Sequence, residues 1–176
     1  MYRNYLRLLA RIQIGRRLQG KVDASDVVQE AFLDAHRYFG RFRGTSEAQF
    51  STWLREILAG TLANQVRRYF GTHARDIRRE REISADLDQS ALGLAGMLVD
   101  PHSSPSGQAA RGELSLLVAE ATSRLPDDYQ TVIVLRHLEG LTFPQIAERT
   151  ERTVASVEKV WLRGLTRLRQ IFGEMP

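Results

Sequence analysis

The sequence predicts an all-α fold in which two small helical domains are joined by a flexible linker. Three observations carry this. Apolar residues recur at helical spacing in both the first and the last part of the chain, and no stretch alternates apolar and polar residues as a half-buried strand would. Between them lies a segment rich in Ser, Gly, Asp and Pro without sustained periodicity. The units read as a domain at 1–82, a linker at 83–112 and a helix-turn-helix domain at 113–176.

In the first helix Tyr5, Leu8, Leu9 and Ile12 form the apolar stripe, and Gly15 and Gly20 lie near its end. Asp23 is a good N-cap for the second helix, with Asp26 in the first turn where the helix dipole favours an acid. Its buried stripe is read as Val28, Ala31, Phe32, Ala35 and Phe39, ending at Gly40. After a loop at 41–47, Phe50, Leu54, Ile57, Leu58, Thr61, Leu62 and Val66 mark a third helix that runs to Tyr69 and stops at Gly71. In the linker, Pro101 and Pro105 cluster within residues 100–107, with a short helical turn expected around 87–94.

The last part opens with the stripe Leu114, Leu117, Val118, Ala121 and Leu125, ended by Pro126, which also starts the next helix. Tyr129, Val132, Ile133 and Leu135 mark that helix, up to Gly140. Thr142 and Gln145 form a capping box opening a short helix with Ile146 and Ala147. A tight turn at 150–152 and a cap at Thr153 lead into a final helix with a core stripe of Val154, Val157, Trp161, Leu165 and Leu168. A short helix, a tight turn and a longer Arg-bearing helix are the signature of a helix-turn-helix.

Composition narrows the function. Of the 25 basic residues in this 176-residue chain 23 are Arg, and residues 1–82 hold a net charge of +7 against −2 for 83–112 and −1 for 113–176. A basic, Arg-rich first domain makes nucleic acid the leading partner, with a merely solvated Arg-rich surface as the plain alternative. The absence of Cys excludes disulfides, Cys-ligated zinc and a thiol nucleophile. No apolar run reaches the roughly 20 residues of a membrane span, so a soluble, cytoplasmic protein with no membrane insertion is expected. His36, His73, His102 and His137 are scattered without metal-ligand spacing.

Two blocks of residues resemble one known family. The stretch Asp23-Ala-Ser-Asp-Val-Val-Gln-Glu-Ala-Phe32 looks like the polymerase-binding segment of bacterial RNA polymerase sigma factors. Gly40-Arg-Phe-Arg-Gly44 and Phe50-Ser-Thr-Trp-Leu54 are similar to the family's next segments along the chain. Leu125-Pro-Asp-Asp-Tyr129 and Val134-Leu-Arg-His-Leu-Glu-Gly-Leu-Thr142 resemble the start of the family's promoter-reading domain. The two-domain length points to the extracytoplasmic-function (ECF) subfamily.

The resemblance implies a factor that is not an enzyme and needs no cofactor. Its N-terminal domain would grip the clamp helices of the largest subunit of core RNA polymerase and capture an unstacked base of the minus-ten element. Its C-terminal domain would read the minus-thirty-five element as duplex. An anti-sigma factor is a further partner that membership would allow. The family usually has more helical sequence ahead of the segment matching residues 2–14, so either a truncated first helix or a misassigned start codon is expected.

Asp26, Glu30 and Asp34 share one helix face, read as a solvated acidic face, as half of a carboxylate metal site whose paired Glu-x-x-His ligands are missing, or as a docking face. The resemblance favours docking by Asp26, Gln29 and Glu30. Phe39, Phe42, Phe50, Trp53, Tyr69 and Phe70 are mostly core by spacing, yet aromatic faces beside a basic groove are also what single strands require. Trp53, Arg55, Arg67 and Arg68 are therefore expected at the minus-ten element, with Arg75, Arg78, Arg79 and Arg81 extending the basic track. Where the family usually carries the base-holding Asn this chain has Gly60, and Asn64 is the substitute candidate.

In the last helix Ser156, Glu158, Lys159 and Arg163 are the expected minus-thirty-five contacts. Glu158 and Val160 replace residues that are often basic in the family, and Glu accepts from the cytosine amino group. Glu151 stands where a Gly is common in the family, and a left-handed conformation there would cost about 1 kcal/mol or more. The linker acids Asp86, Asp88 and Asp100 are read either as a mimic of RNA charge or as plain solvated groups. A DNA-binding regulator with a similar output domain, and more distantly a helical metal-dependent hydrolase, are the competing functions.

Overall fold

The computed structural model describes residues 1–18, 22–70, 77–97 and 108–175. Gly20, Gly71, His73, Arg75 and residues 100–107 lie outside them. The described residues form helices throughout, with no strand among them. These are α1 (Tyr2–Arg17), α2 (Ala24–Tyr38), a 3₁₀ turn (Phe39–Arg41), α3 (Glu47–Phe70), α4 (Ile77–Gly96), α5 (Gln108–Ser123), α6 (Asp127–Ile133), α7 (Phe143–Arg149) and α8 (Val154–Gly173). A π-helical turn, Val134–Leu138, extends α6.

Local chemistry sets the boundaries. The Asp23 carboxylate accepts from Ser25 N at 2.6 Å and starts α2. Ser46 Oγ accepts from Gln49 N, while the Gln49 side chain accepts from Thr45 N and Ser46 N, closing the start of α3. The Thr142/Gln145 capping box is present, and Thr153 accepts from Ser156 N at the start of α8. Glu151, between α7 and α8, adopts the left-handed conformation with φ 54°.

The largest core joins Tyr5, Leu9 and Ile12 of α1 to Val27 and Val28 of α2, Leu54, Leu58 and Leu62 of α3, and Leu116 and Val118 of α5. Each such Leu contributes about 1.5–3 kcal/mol by burial. Two smaller clusters hold the last helices: Leu125, Ile133, Leu168 and Ile171, and Val132, Leu135, Ile146 and Val157. Gly164 lets α8 approach α6 closely, since a Cβ there would lie 3.0 Å from Ile133 Cδ1.

The linker reading requires correction. Residues 83–96 belong to α4, and Ile83, Leu87, Ala91 and Leu94 are buried in the main core. Their spacing is helical, but Ser84, Asp86, Asp88, Ser90, Gly93 and Gly96 dilute the propensity, and tertiary burial overrides it. Residues 108–112 likewise open α5. Two stripe residues also turn outward: Phe39 is 58% exposed in the 3₁₀ turn after α2, and Val154 is exposed in the first turn of α8.

Candidate nucleic-acid interface

Three surfaces collect the residues singled out from the sequence. On α2, Val27, Val28, Ala31 and Ala35 face the core, which leaves Asp26 and Gln29 exposed on the other side. Glu30 is not open in the same way. It is half-buried, accepts from Gln65 Nε2 at 2.7 Å and lies 3.8 Å from Arg68, so it ties α2 to α3. Asp34 pairs with Arg37 at 3.2 Å. Sequence reasoning passed over Leu33, which is 57% exposed one turn beyond Gln29 and Glu30. Its position off the apolar stripe was the available signal.

The second surface is aromatic. Phe42 and Trp53 lie with ring centroids 5.1 Å apart, Phe50 is 5.8 Å from Trp53, and Phe39 stands 6.2 Å from Trp53. The Phe42 ring folds over Gly44, where any Cβ would overlap it. Arg41 lies 5.3 Å from the Tyr38 ring centroid, and Arg43 donates to Gly40 O. Phe42, Trp53, Arg41 and Arg43 border an open groove of about 810 Å³, which Asp88, Leu92 and Arg111 also line.

Arg55 borders this groove but is occupied. Its Nε donates to Asp88 at 2.7 Å, Nη1 to Tyr5 Oη at 3.0 Å and Nη2 to Thr52 Oγ1 at 3.1 Å, leaving the side chain 14% exposed. Burial pushes the Tyr5 hydroxyl pKa above its ordinary value. In this conformation three of the five Arg55 N–H donors are engaged within the chain, and little of the side chain is open to solvent.

The other minus-ten candidates do not join Trp53 and Arg55. Asn64 Oδ1 accepts from Arg67 further along α3, and Arg68 points toward Glu30 of α2. Gly60 faces α4, where a Cβ would meet Glu80 Oε1 at 3.7 Å. Arg78 pairs with Glu82, and Arg81 is exposed.

The third surface is the outer face of α8. Glu158, Lys159 and Arg163 are exposed together, Ser156 is half-buried, and Leu162 between them is 61% exposed. Behind this face Val157 and Leu168 anchor the helix. Trp161 packs against Phe143, and Arg136 lies 4.8 Å from the Phe143 ring centroid. Ion pairs Arg149–Glu139 and Arg152–Asp128, at 2.7 and 2.8 Å, fix the turn between α7 and α8. The helix is thus held rigidly with a mixed acidic, basic and apolar face outward, which suits reading base edges in a major groove.

Among the described residues no group of His, Asp and Glu is arranged to hold a metal ion. No helix among them is long and apolar enough to cross a membrane.

Two parts of the chain match known families. Residues 1–69 match the family described as sigma-70 region 2, and residues 115–168 match sigma-70 region 4. The chain is similar to the ECF RNA polymerase sigma-E factor of Haemophilus influenzae, at 35% identity over 77% of this chain and 67% of that protein. It is 32% identical to the RNA polymerase sigma-H factor of Pseudomonas aeruginosa, over 77% of this chain and 65% of that one. The ECF RNA polymerase sigma-E factor of Escherichia coli K12 is 34% identical over 77% of this chain and 66% of its own length. The matches therefore span about two thirds of each relative.

Proposed function

This chain belongs to the ECF branch of the sigma-70 family, and on that premise we propose that it binds core RNA polymerase and directs it to promoters in the cytoplasm. The observation that carries the reading is the pairing of two separate surfaces in one chain. One is the aromatic groove beside α3, and the other is the outward face of α8.

The proposed division of labour follows the chemistry of each surface. The exposed Asp26, Gln29 and Leu33 on α2, with Glu30 at their edge, offer an acidic and apolar strip to the basic side chains of a polymerase clamp. Phe39, Phe42 and Trp53 offer faces on which an unstacked minus-ten base can lie, and Arg41 and Arg43 beside them offer charge to its backbone. Glu158, Lys159 and Arg163 face the duplex of the minus-thirty-five element. The region matches, ending at residue 69 and resuming at 115, support an N-terminal and a C-terminal unit. A regulator that acts only through its helix-turn-helix would leave the α2 strip and the groove without a role.

The test is binding to core polymerase. Purified chain mixed with core enzyme should co-elute on size exclusion, and Asp26→Arg should abolish that co-elution. A chain that elutes alone would sink the reading.

A further inference from the structure

We propose that Glu56 selects the base held in the aromatic groove, and that the base it selects is guanine. The inference rests on the sigma reading and adds a base specificity to the same site.

Among the described residues two carboxylates line the groove, Asp88 and Glu56. Asp88 is taken, since Arg55 Nε donates to it at 2.7 Å. Glu56 is exposed and makes no hydrogen bond or ion pair among the described residues. The guanidinium groups of the groove are directed elsewhere. Arg55 donates to Asp88, Tyr5 and Thr52, Arg43 donates to Gly40 O, and Arg41 lies over the Tyr38 ring. A free acceptor therefore stands in a groove whose other groups suit a polyanion.

Helix geometry puts that acceptor beside the stacking face. Leu54 and Leu58 of α3 are buried in the core, while Thr52, Trp53 and Glu56 line the groove. Glu56 follows Trp53 by three residues, so their Cβ atoms lie about 5–6 Å apart. A base lying on Trp53 thus has an edge within reach of the Glu56 carboxylate. An unstacked, unpaired base exposes its Watson–Crick edge, the edge that readers of single strands bond.

The chemistry of that edge picks one base. An ionised carboxylate only accepts, through two oxygens set side by side. Guanine offers the matching pair of donors, N1–H and the N2 amino group. Adenine and cytosine each place one amino group next to an acceptor nitrogen, so the second carboxylate oxygen would face a lone pair. Thymine has a single N3–H between two carbonyls. Beside the DNA backbone a carboxylate is repulsive, so Glu56 weakens the hold on every other base and offsets that loss with guanine alone.

The test is transcription by core polymerase with the full chain from templates randomised at both promoter elements, with the products sequenced. Wild type should select guanine on the non-template strand at one position of the minus-ten element. Glu56→Gln keeps the size and one acceptor but turns the other oxygen into a donor, which matches adenine and cytosine. Its preference for guanine at that position should fall at least about tenfold, with adenine or cytosine gaining. Preference at the minus-thirty-five element, read in the same products, should stay as in wild type. A wild type that selects no guanine in the minus-ten element overturns the proposal, as does an unchanged preference in Glu56→Gln. An even rise in transcript from all templates also overturns it, being the mark of simple repulsion, and so does a loss of preference at both elements, the mark of a disturbed fold. Products that are the same with and without the wild-type chain sink the sigma reading itself.

Discussion

Trp161 on α8 donates its indole Nε1–H to Nε2 of His137 at 3.0 Å, so the recognition helix is held by a histidine that must be neutral at that nitrogen. The rings also lie nearly parallel, 6.2 Å between centroids. Desolvation, with Arg136 adding to it, sets the His137 pKa below its ordinary value.

That depression fixes a pH dependence. The neutral ring is favoured by the fold, so its contribution is present above the unfolded pKa of about 6.5 and is lost as pH falls through the lower folded value. Thermal unfolding should show a drop between pH 7.5 and pH 5 that is smaller in His137→Gln, which keeps an acceptor but does not titrate. An identical pH profile in the variant would show that His137 does not set the dependence.

The α2 strip separates binding from stability. Asp26→Arg changes an exposed side chain and should alter stability by about half a kcal/mol or less, while polymerase affinity falls at least tenfold. Glu30→Arg should weaken binding and also cost about 1 kcal/mol or more, because it breaks the bond from Gln65 and brings a cation toward Arg68. Denaturant melts beside anisotropy titrations with labelled core enzyme would distinguish the two. Equal stability of both variants would contradict the Glu30–Gln65 tie.

On α8 the outward residues divide into base reader and anchor. Glu158→Ala should relax preference at one position of the upstream element, costing about 1–3 kcal/mol for the preferred base. Arg163→Ala should weaken binding evenly across sequences and lower the salt slope by about one unit. Transcription from promoters randomised in the upstream element reads both. A selected base that is unchanged in Glu158→Ala and Glu158→Arg would show that Glu158 does not read DNA.

For α4, burial replaces the flexible segment expected from composition. Leu87→Ala should destabilise the chain by about 2–5 kcal/mol, the cost of a core truncation, where a linker residue would cost almost nothing. Limited proteolysis should cut within the Pro- and Ser-bearing stretch at 100–107 and leave 77–96 attached to the N-terminal fragment. Early cleavage between residues 83 and 96 would contradict a docked α4.

The features legible in the sequence are those that local chemistry decides. Asp23, Thr142 with Gln145, and Thr153 announce helix starts because a cap is made within three residues. The outward set on α8 was legible because Val157 and Leu168 fix which face is buried. Distant partners were not. Asp88 lies 33 positions from Arg55, and Gln65 lies 35 from Glu30, so periodicity in either helix is silent about the pairing. Docking of α4 depends on a groove between α1, α3 and α5 that exists only after they pack.

The most direct test of promoter selection by this chain is transcription from sheared genomic DNA by core polymerase with and without it, with the 5′ ends of the products sequenced. The expected result is a discrete set of start sites that appears only with the chain and shares two upstream elements. Starts no different from those of core polymerase alone would contradict it.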